Sequence, residues 1–156
     1  MGRTRWLTAE EMRAWRGFIT TSQDLQRAVE RDLLQFGLDG GDYQLLAMLS
    51  EAPDKQLRMC DLANVLRLTR GGVTRRLKGV LDAGLVERII DESDRRSVYA
   101  HLTPAGWRLI KRIAPRHVRV VRKLMMDLLS PQEIRAMGNA FAKISANLNS
   151  TVAADT

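Results

Sequence analysis

The sequence predicts a mainly α-helical chain with a small β-wing: a winged helix-turn-helix unit over residues 42–103, flanked by long dimerisation helices over 8–36 and 104–149, the 156 residues together forming one domain. Three observations carry this expectation. Two short amphipathic segments, 59–66 and the stretch opening RGGVT, are separated only by Arg67, Leu68 and Thr69, the spacing at which one helix turns onto the next. Two runs of strand character, 85–90 and 97–102, follow on either side of the polar stretch Asp91 to Arg96. Through both flanking segments, apolar residues recur at three- and four-residue steps.

Each element has its own grounds. From Glu10 to Phe36 the apolar positions run Met12, Trp15, Ile19, Leu25, Val29, Leu33 and Phe36, with Thr8 placed to cap and Glu10 and Glu11 in the first turn, where the helix dipole favours acids. A helix of that length spans roughly 40 Å at 1.5 Å per residue, more than a compact domain of this size needs for itself, so a partner surface is expected. Asp42 is read as the cap of a short helix to Glu51, with Leu45, Leu46 and Leu49 inward, and Leu57 as part of a brief strand. Gly84 suits a left-handed helix end. Leu85 to Ile90 and Ser97 to Leu102 then form a hairpin with Arg95 and Arg96 near its tip. Thr103 and Pro104 open the next helix as cap and first residue, and its stripe of Trp107, Ile110, Ala114, His117, Val121, Leu124 and Leu128 is interrupted at Pro115, where a kink is expected. Ser130-Pro131-Gln132-Glu133 is a capping box that starts the last helix, with Ile134, Met137, Phe141, Ile144 and Leu148 on one face and a frayed end after Ser150.

The stretch Leu68 to Arg96 organises the rest. At about 100° per residue, Val73, Leu77, Val80 and Leu81 fall on one side of its helix. Gly71, Thr74, Arg75, Lys78 and Gly79 fall on the other. Arg67, Arg70, Arg75, Arg76 and Lys78 make the segment basic, with no acid among them. Glycine costs on the order of 1 kcal/mol relative to alanine inside a helix. Gly71 and Gly72 therefore mark either a close approach of the backbone to a ligand surface or a turn after which the helix starts at Val73. Either way Arg75 points outward.

Composition bounds the function. A net charge of +7 points to a polyanionic partner. Between Asp94 and Asp127 no acid occurs, against nine Lys or Arg, while the first 66 residues hold ten of the eighteen acids. No apolar run of about 18 residues suggests a membrane span, no apolar core follows the first basic residues as in a secretory signal, and a cytoplasmic address is expected. Cys60 is alone, so no internal disulfide forms; it reads as a partly buried, inert thiol. His101, His117 and one cysteine do not make a metal site, and no cofactor is expected. No paired nucleophile and base, and no phosphate-binding glycine loop ending in Lys-Ser or Lys-Thr, argues for an enzyme.

The run DLANVLRLTRGGVTRRLKGVLDAGLVER, followed by SDRRSVYAHLTPAG, resembles the multiple-antibiotic-resistance regulator (MarR) family. The likeness is specific over Asp61 to Gly106, above all in Asp94, Arg96, Leu102, Thr103 and Gly106, and looser over the helical order of nearly the whole chain. The resemblance implies a homodimeric winged-helix transcription regulator, usually a repressor, released from double-stranded DNA by a small ligand or by oxidation. It implies base contacts by Arg75, minor-groove entry by Arg96 and steadying of that arginine by Asp94. The redox-sensing members have a cysteine near the start of the first helix, and this chain has none there.

The expected sites follow. On the recognition helix they are Thr69, Arg70, Gly71, Thr74, Arg75 and Lys78; on the wing, Asp94, Arg95 and Arg96. Dimerisation is expected through Trp15, Ile19, Val121, Ile144 and Leu148. A small-molecule effector, aromatic ones among the candidates, is expected near Trp15, Phe18 and His117, residues that could equally be dimer-core packing. The competing reading is a winged helix that binds nucleic acid without sequence preference, or binds protein. The recognition face separates the two, because Thr74 and Arg75 can reach base edges while an architectural binder needs only phosphate contacts.

Overall fold

A computed structural model describes residues 4–66, 68–91, 94 and 97–154, the side chains of residues 70 and 150–154 excepted. The chain divides into two compact units, residues 1–117 and 118–156.

In the first unit, α1 (Ala9–Leu34) starts from a reciprocal cap: the Glu11 amide donates to the Thr8 hydroxyl at 3.2 Å, and the Thr8 amide donates to the Glu11 carboxylate at 2.7 Å. It stops two residues short of Phe36. Gly37, at φ +73°, takes the left-handed turn that closes it. α2 (Gly40–Glu51) begins earlier than expected, and its cap is Asp39 rather than Asp42. Two aspartates three residues apart are the reason: Asp39 accepts from the Asp42 amide at 2.7 Å and Asp42 returns the bond to the Asp39 amide at 3.3 Å. A tight turn at Pro53–Lys55 leads into β1 (Gln56–Arg58), followed by α3 (Met59–Leu66) and α4 (Arg70–Asp82).

Between α3 and α4 the chain turns on Leu68 and Thr69. The Leu68 amide bonds the Ala63 carbonyl at 3.0 Å, and the Thr69 hydroxyl caps α4 by accepting from the Gly72 amide at 3.1 Å. Gly71 and Gly72 therefore lie inside the helix, which rules out a helix start at Val73. Gly84, at φ +66°, ends α4. β2 (Val86–Ile90) and β3 (Val98–Leu102) pair antiparallel, Val86 opposite Leu102 and Ile90 opposite Val98. β1 pairs with the other edge of β3, so β3 is central.

The core of this unit is apolar: Leu33, Leu45, Leu46, Leu49, Leu62, Leu77, Leu102 and Ile113 are each at most 1% exposed. Val73, Leu77 and Val80 bury the inner side of α4, while Leu81 is only half-buried. α5 (Pro104–Leu124) is fastened where it leaves the sheet. The Thr103 amide donates to the Leu85 carbonyl at 3.1 Å, the Thr103 hydroxyl donates to the Gly84 carbonyl at 2.8 Å, and the same hydroxyl accepts from the Gly106 amide at 3.1 Å. Gly106 is required by contact, because a Cβ there would lie 2.2 Å from the Leu85 oxygen. α5 runs through Pro115, as expected, to Leu124. The proline only deprives the Lys111 carbonyl of its donor.

The second unit holds the end of α5, a single turn at Met126–Leu128 and α6 (Pro131–Ala154). Ser130 and Glu133 form the expected capping box, with amide-to-side-chain distances of 2.8 and 3.3 Å. α6 continues past Ser150 to Ala154, beyond the point where the sequence suggested fraying. Among the described residues of this unit none is buried, and Leu128, Phe141, Ile144 and Leu148 are exposed.

Candidate nucleic-acid interface

The outward side of α4 is thin and polar. Gly71, Thr74, Arg75, Lys78 and Gly79 are exposed, and a Cβ at Gly71 or Gly79 would meet nothing within 4 Å. Arg75 has no ion-pair partner among the described residues. Lys78 pairs with Asp82 one turn on at 3.3 Å, both side chains well exposed, a contact of the kind that contributes little and is readily exchanged for another anion. Thr69 lies at the same end, but its hydroxyl is spent on the cap. Arg70 is the first residue of α4, and its side chain lies outside the described residues.

One of the five basic residues of this segment turns inward. The Arg76 guanidinium reaches back to α2, with Nη1 2.5 Å from Asp39 Oδ2 and 3.5 Å from Asp42 Oδ1. The sequence reading counted it among the basic residues of the segment but placed it on neither side of the helix. Its partners, 37 and 34 residues away, gave no local signal.

At the wing, the Asp91 amide bonds the Ser97 carbonyl at 3.0 Å and the Ser97 amide bonds the Asp94 carbonyl at 2.8 Å, closing the base of the tip. The Asp94 carboxylate accepts from the Ser97 hydroxyl at 2.8 Å. Arg95 and Arg96 lie outside the described residues.

Between the wing and α4 runs a groove of about 460 Å³, bordered by Arg58, Cys60, Val73, Thr74, Arg88 and Ser97. Arg58 and Arg88 are basic residues that the sequence reading did not single out. Arg58 is held across the sheet: its Nε donates to the Tyr99 hydroxyl at 2.9 Å and its guanidinium lies 5.6 Å from the Tyr99 ring, as the pairing of Arg58 with Tyr99 in the β1–β3 register dictates. Cys60 is exposed, not partly buried. It sits in the first turn of α3, with Sγ 3.7 Å from Asp61 Oδ1.

A second cluster ties α1, α2 and α5. Arg116 grips Asp32 through Nε at 2.8 Å and Nη2 at 2.8 Å, and His117 lies against the Tyr43 ring with centroids 4.2 Å apart. The Arg116 hydrogen bond holds the Asp32 carboxyl below its ordinary value, while burial lowers the pKa of His117 despite the nearby Asp32 charge. Trp15 and Phe18 pair with each other on α1, ring centroids 6.4 Å apart, both about half exposed. Ile19 and Val121 are half-buried. Among the described residues no three His, Cys, Asp or Glu side chains are grouped to hold a metal ion, and no helix is long and apolar enough to cross a membrane.

Residues 36–97 match a sequence profile of the MarR family. AbsC, a MarR family transcriptional regulator from Streptomyces coelicolor, is 36% identical and superposes with a TM-score of 0.91 over 94% of this chain and 99% of its own. Sco3205, another MarR family transcriptional regulator from Streptomyces coelicolor, solved in complex with DNA, is 33% identical with a TM-score of 0.89 over 94% of this chain and 92% of its own. The HTH-type transcriptional regulator PecS of Dickeya dadantii is 32% identical over 109 residues, 69% of this chain and 63% of PecS, so the match spans less than two thirds of that protein.

Proposed function

Because the chain belongs to the MarR family of DNA-binding transcription regulators, we propose that it reads a palindromic operator as a homodimer, represses from it, and is released when a small effector binds. The observation that carries this is the outward face of α4: an exposed Arg75 beside Thr74 and between two bare glycines, with the opposite side of the helix buried by Val73, Leu77 and Val80. A second helix so presented enters the major groove, where an arginine pairs bidentately with guanine. Glycines at positions 71 and 79 let the helix backbone come close. The wing residues Asp94, Arg95 and Arg96 belong to the same reading, with Arg96 in the minor groove, where narrow A·T-rich stretches concentrate negative potential.

Binding-site selection on randomised DNA tests it. Arg75→Ala should cost about 1–3 kcal/mol per half-site on the selected operator and relax preference at one base position in each half. Lys78→Ala should weaken all sequences alike and flatten the salt dependence, as loss of a phosphate contact does. Equal loss of cognate and random DNA by the Arg75 variant would transfer the protein to the architectural class.

Dimerisation is supported by the apolar faces left open on one chain, Trp15 on α1 and Ile144 and Leu148 on α6, each about half exposed, with Ile19 and Val121 as further members. Trp15, Phe18 and His117 are proposed to serve an aromatic effector. A thermal-shift screen of aromatic acids checks this, since a ligand of the folded form raises its midpoint, and no shift with any compound would remove the effector role from these residues. The chain is taken to act in the cytoplasm without catalytic activity of its own, which a fraction of the protein recovered with membranes or an activity assay on the purified dimer would contradict.

A further inference from the structure

Burial of Val73, Leu77 and Val80 holds α4 against the core, but apolar burial is non-directional and does not by itself fix the roll of a helix about its own axis. The Arg76 pair is directional. Its guanidinium meets Asp39 at 2.5 Å and Asp42 at 3.5 Å. Both acceptors are themselves immobilised, because each closes the reciprocal cap of α2 with the other's amide at 2.7 and 3.3 Å. The backbone has been cleared for the guanidinium: a Cβ at Gly41 would lie 2.7 Å from Arg76 Cζ. Burial pulls the Asp39 carboxyl upward, but the Asp42 amide and the Arg76 guanidinium overcome it and hold that carboxyl below its ordinary value. Arg75 and Arg76 line one groove together with Asp39, Asp42 and Gly79, so whatever sets one side chain sets the start of the other.

We infer that Arg76 is a positioning residue: by gripping the Asp39–Asp42 cap it sets the roll of α4 against α2, and so aims Arg75 and Thr74 at base edges. The inference rests on the DNA-reading role proposed above. Arg76 itself touches no base; it converts a charge that would bind any phosphate into one that confers selectivity.

The test compares Arg76→Met, Arg76→Lys and Asp39→Asn with the wild-type full-length protein, by fluorescence anisotropy on the selected operator and on random DNA of equal length. Asparagine keeps the capping oxygen, so Asp39→Asn removes the charge and spares the helix start. Arg76→Met and Asp39→Asn should each lower the operator-to-random affinity ratio by about tenfold, and the double variant should be no worse than Arg76→Met alone, as expected for two partners in one interaction. Arg76→Lys should recover part of the ratio, which loss of packing alone would not allow. If Arg76→Met fails to fold, Asp39→Asn decides. An unchanged ratio in either single variant overturns the inference. So does an equal loss on both DNAs with Arg76→Met accompanied by tighter binding of all DNA with Asp39→Asn, the signature of a phosphate contact that Asp39 restrains. A wild-type protein that does not prefer its selected operator brings down the DNA-reading role first, and this inference with it.

Discussion

At the scale of single residues, steric facts outweigh propensities. Gly106 sits in the first turn of α5, where alanine would ordinarily gain on the order of 1 kcal/mol in helix propensity. Here the added methyl would meet the Leu85 backbone oxygen at 2.2 Å and the Leu102 side chain at 2.7 Å. A backbone oxygen that already accepts from the Thr103 amide cannot step aside cheaply, and overpacking of this kind costs about 1–3 kcal/mol. Gly106→Ala should therefore lower the urea midpoint, and an unchanged or raised midpoint would show that the joint gives way. The need for glycine at this position was legible only through the family motif. The contact that explains it joins residues 85 and 106, and no local pattern reports such a distance. The role of Arg76 was missed for the same reason. A helical wheel orders side chains by angle and says nothing of a partner on another helix, whereas Val73, Leu77 and Val80 on the inner side and Thr74 and Arg75 on the outer were placed correctly because an apolar stripe separates inside from outside, though it leaves the finer roll open.

At the scale of elements, the ends of helices were harder to read than their existence. All six helices and the hairpin were legible from periodicity and caps, but α2 starts on Asp39 because a second acid in the right register competes with Asp42 for the role, and α5 stops at Leu124, short of Leu128 where its apolar stripe ends. The joint of α1, α2 and α5 gives a pH prediction with two separable windows. His117, its pKa lowered by burial, makes the unfolded chain the first to take up a proton as pH falls through about 6.5. Its contribution to stability is full above that value and is lost towards the lowered folded value. Asp32, held low chiefly by the Arg116 hydrogen bond, contributes above the ordinary carboxylate range and loses that contribution as pH falls through its depressed value. Midpoints measured against pH should show His117→Gln flattening the slope around pH 6 to about 6.5. Asp32→Asn should be less stable than wild type at neutral pH, with the deficit closing only in acid. A deficit for Asp32→Asn that persists unchanged at the acid end would assign its role to shape rather than charge.

At the scale of the whole molecule, the two units differ in kind. Every fully buried side chain among the described residues lies between Leu33 and Ile113, and residues 118–149 contribute none. The apolar residues of α6 thus have no interior within their own unit. If a second copy covers them, as proposed, light scattering should give about twice the 17.6 kDa chain mass, and the thermal midpoint should rise with protein concentration by mass action. A midpoint that is flat over a hundredfold dilution would separate folding from assembly. This expectation was legible early, since amphipathic helices at both ends of a short chain leave more apolar face than one copy can hide; which residues meet across the interface was not, because periodicity specifies a face and not its complement. If a second copy covers a helix that has no inside of its own, the cell's stock of the protein becomes a signal in its own right. Below the concentration at which copies find each other, half-sites are met singly and grip is weak; above it, two weak grips become one strong one, and occupancy of the operator rises more steeply than in proportion to the amount made.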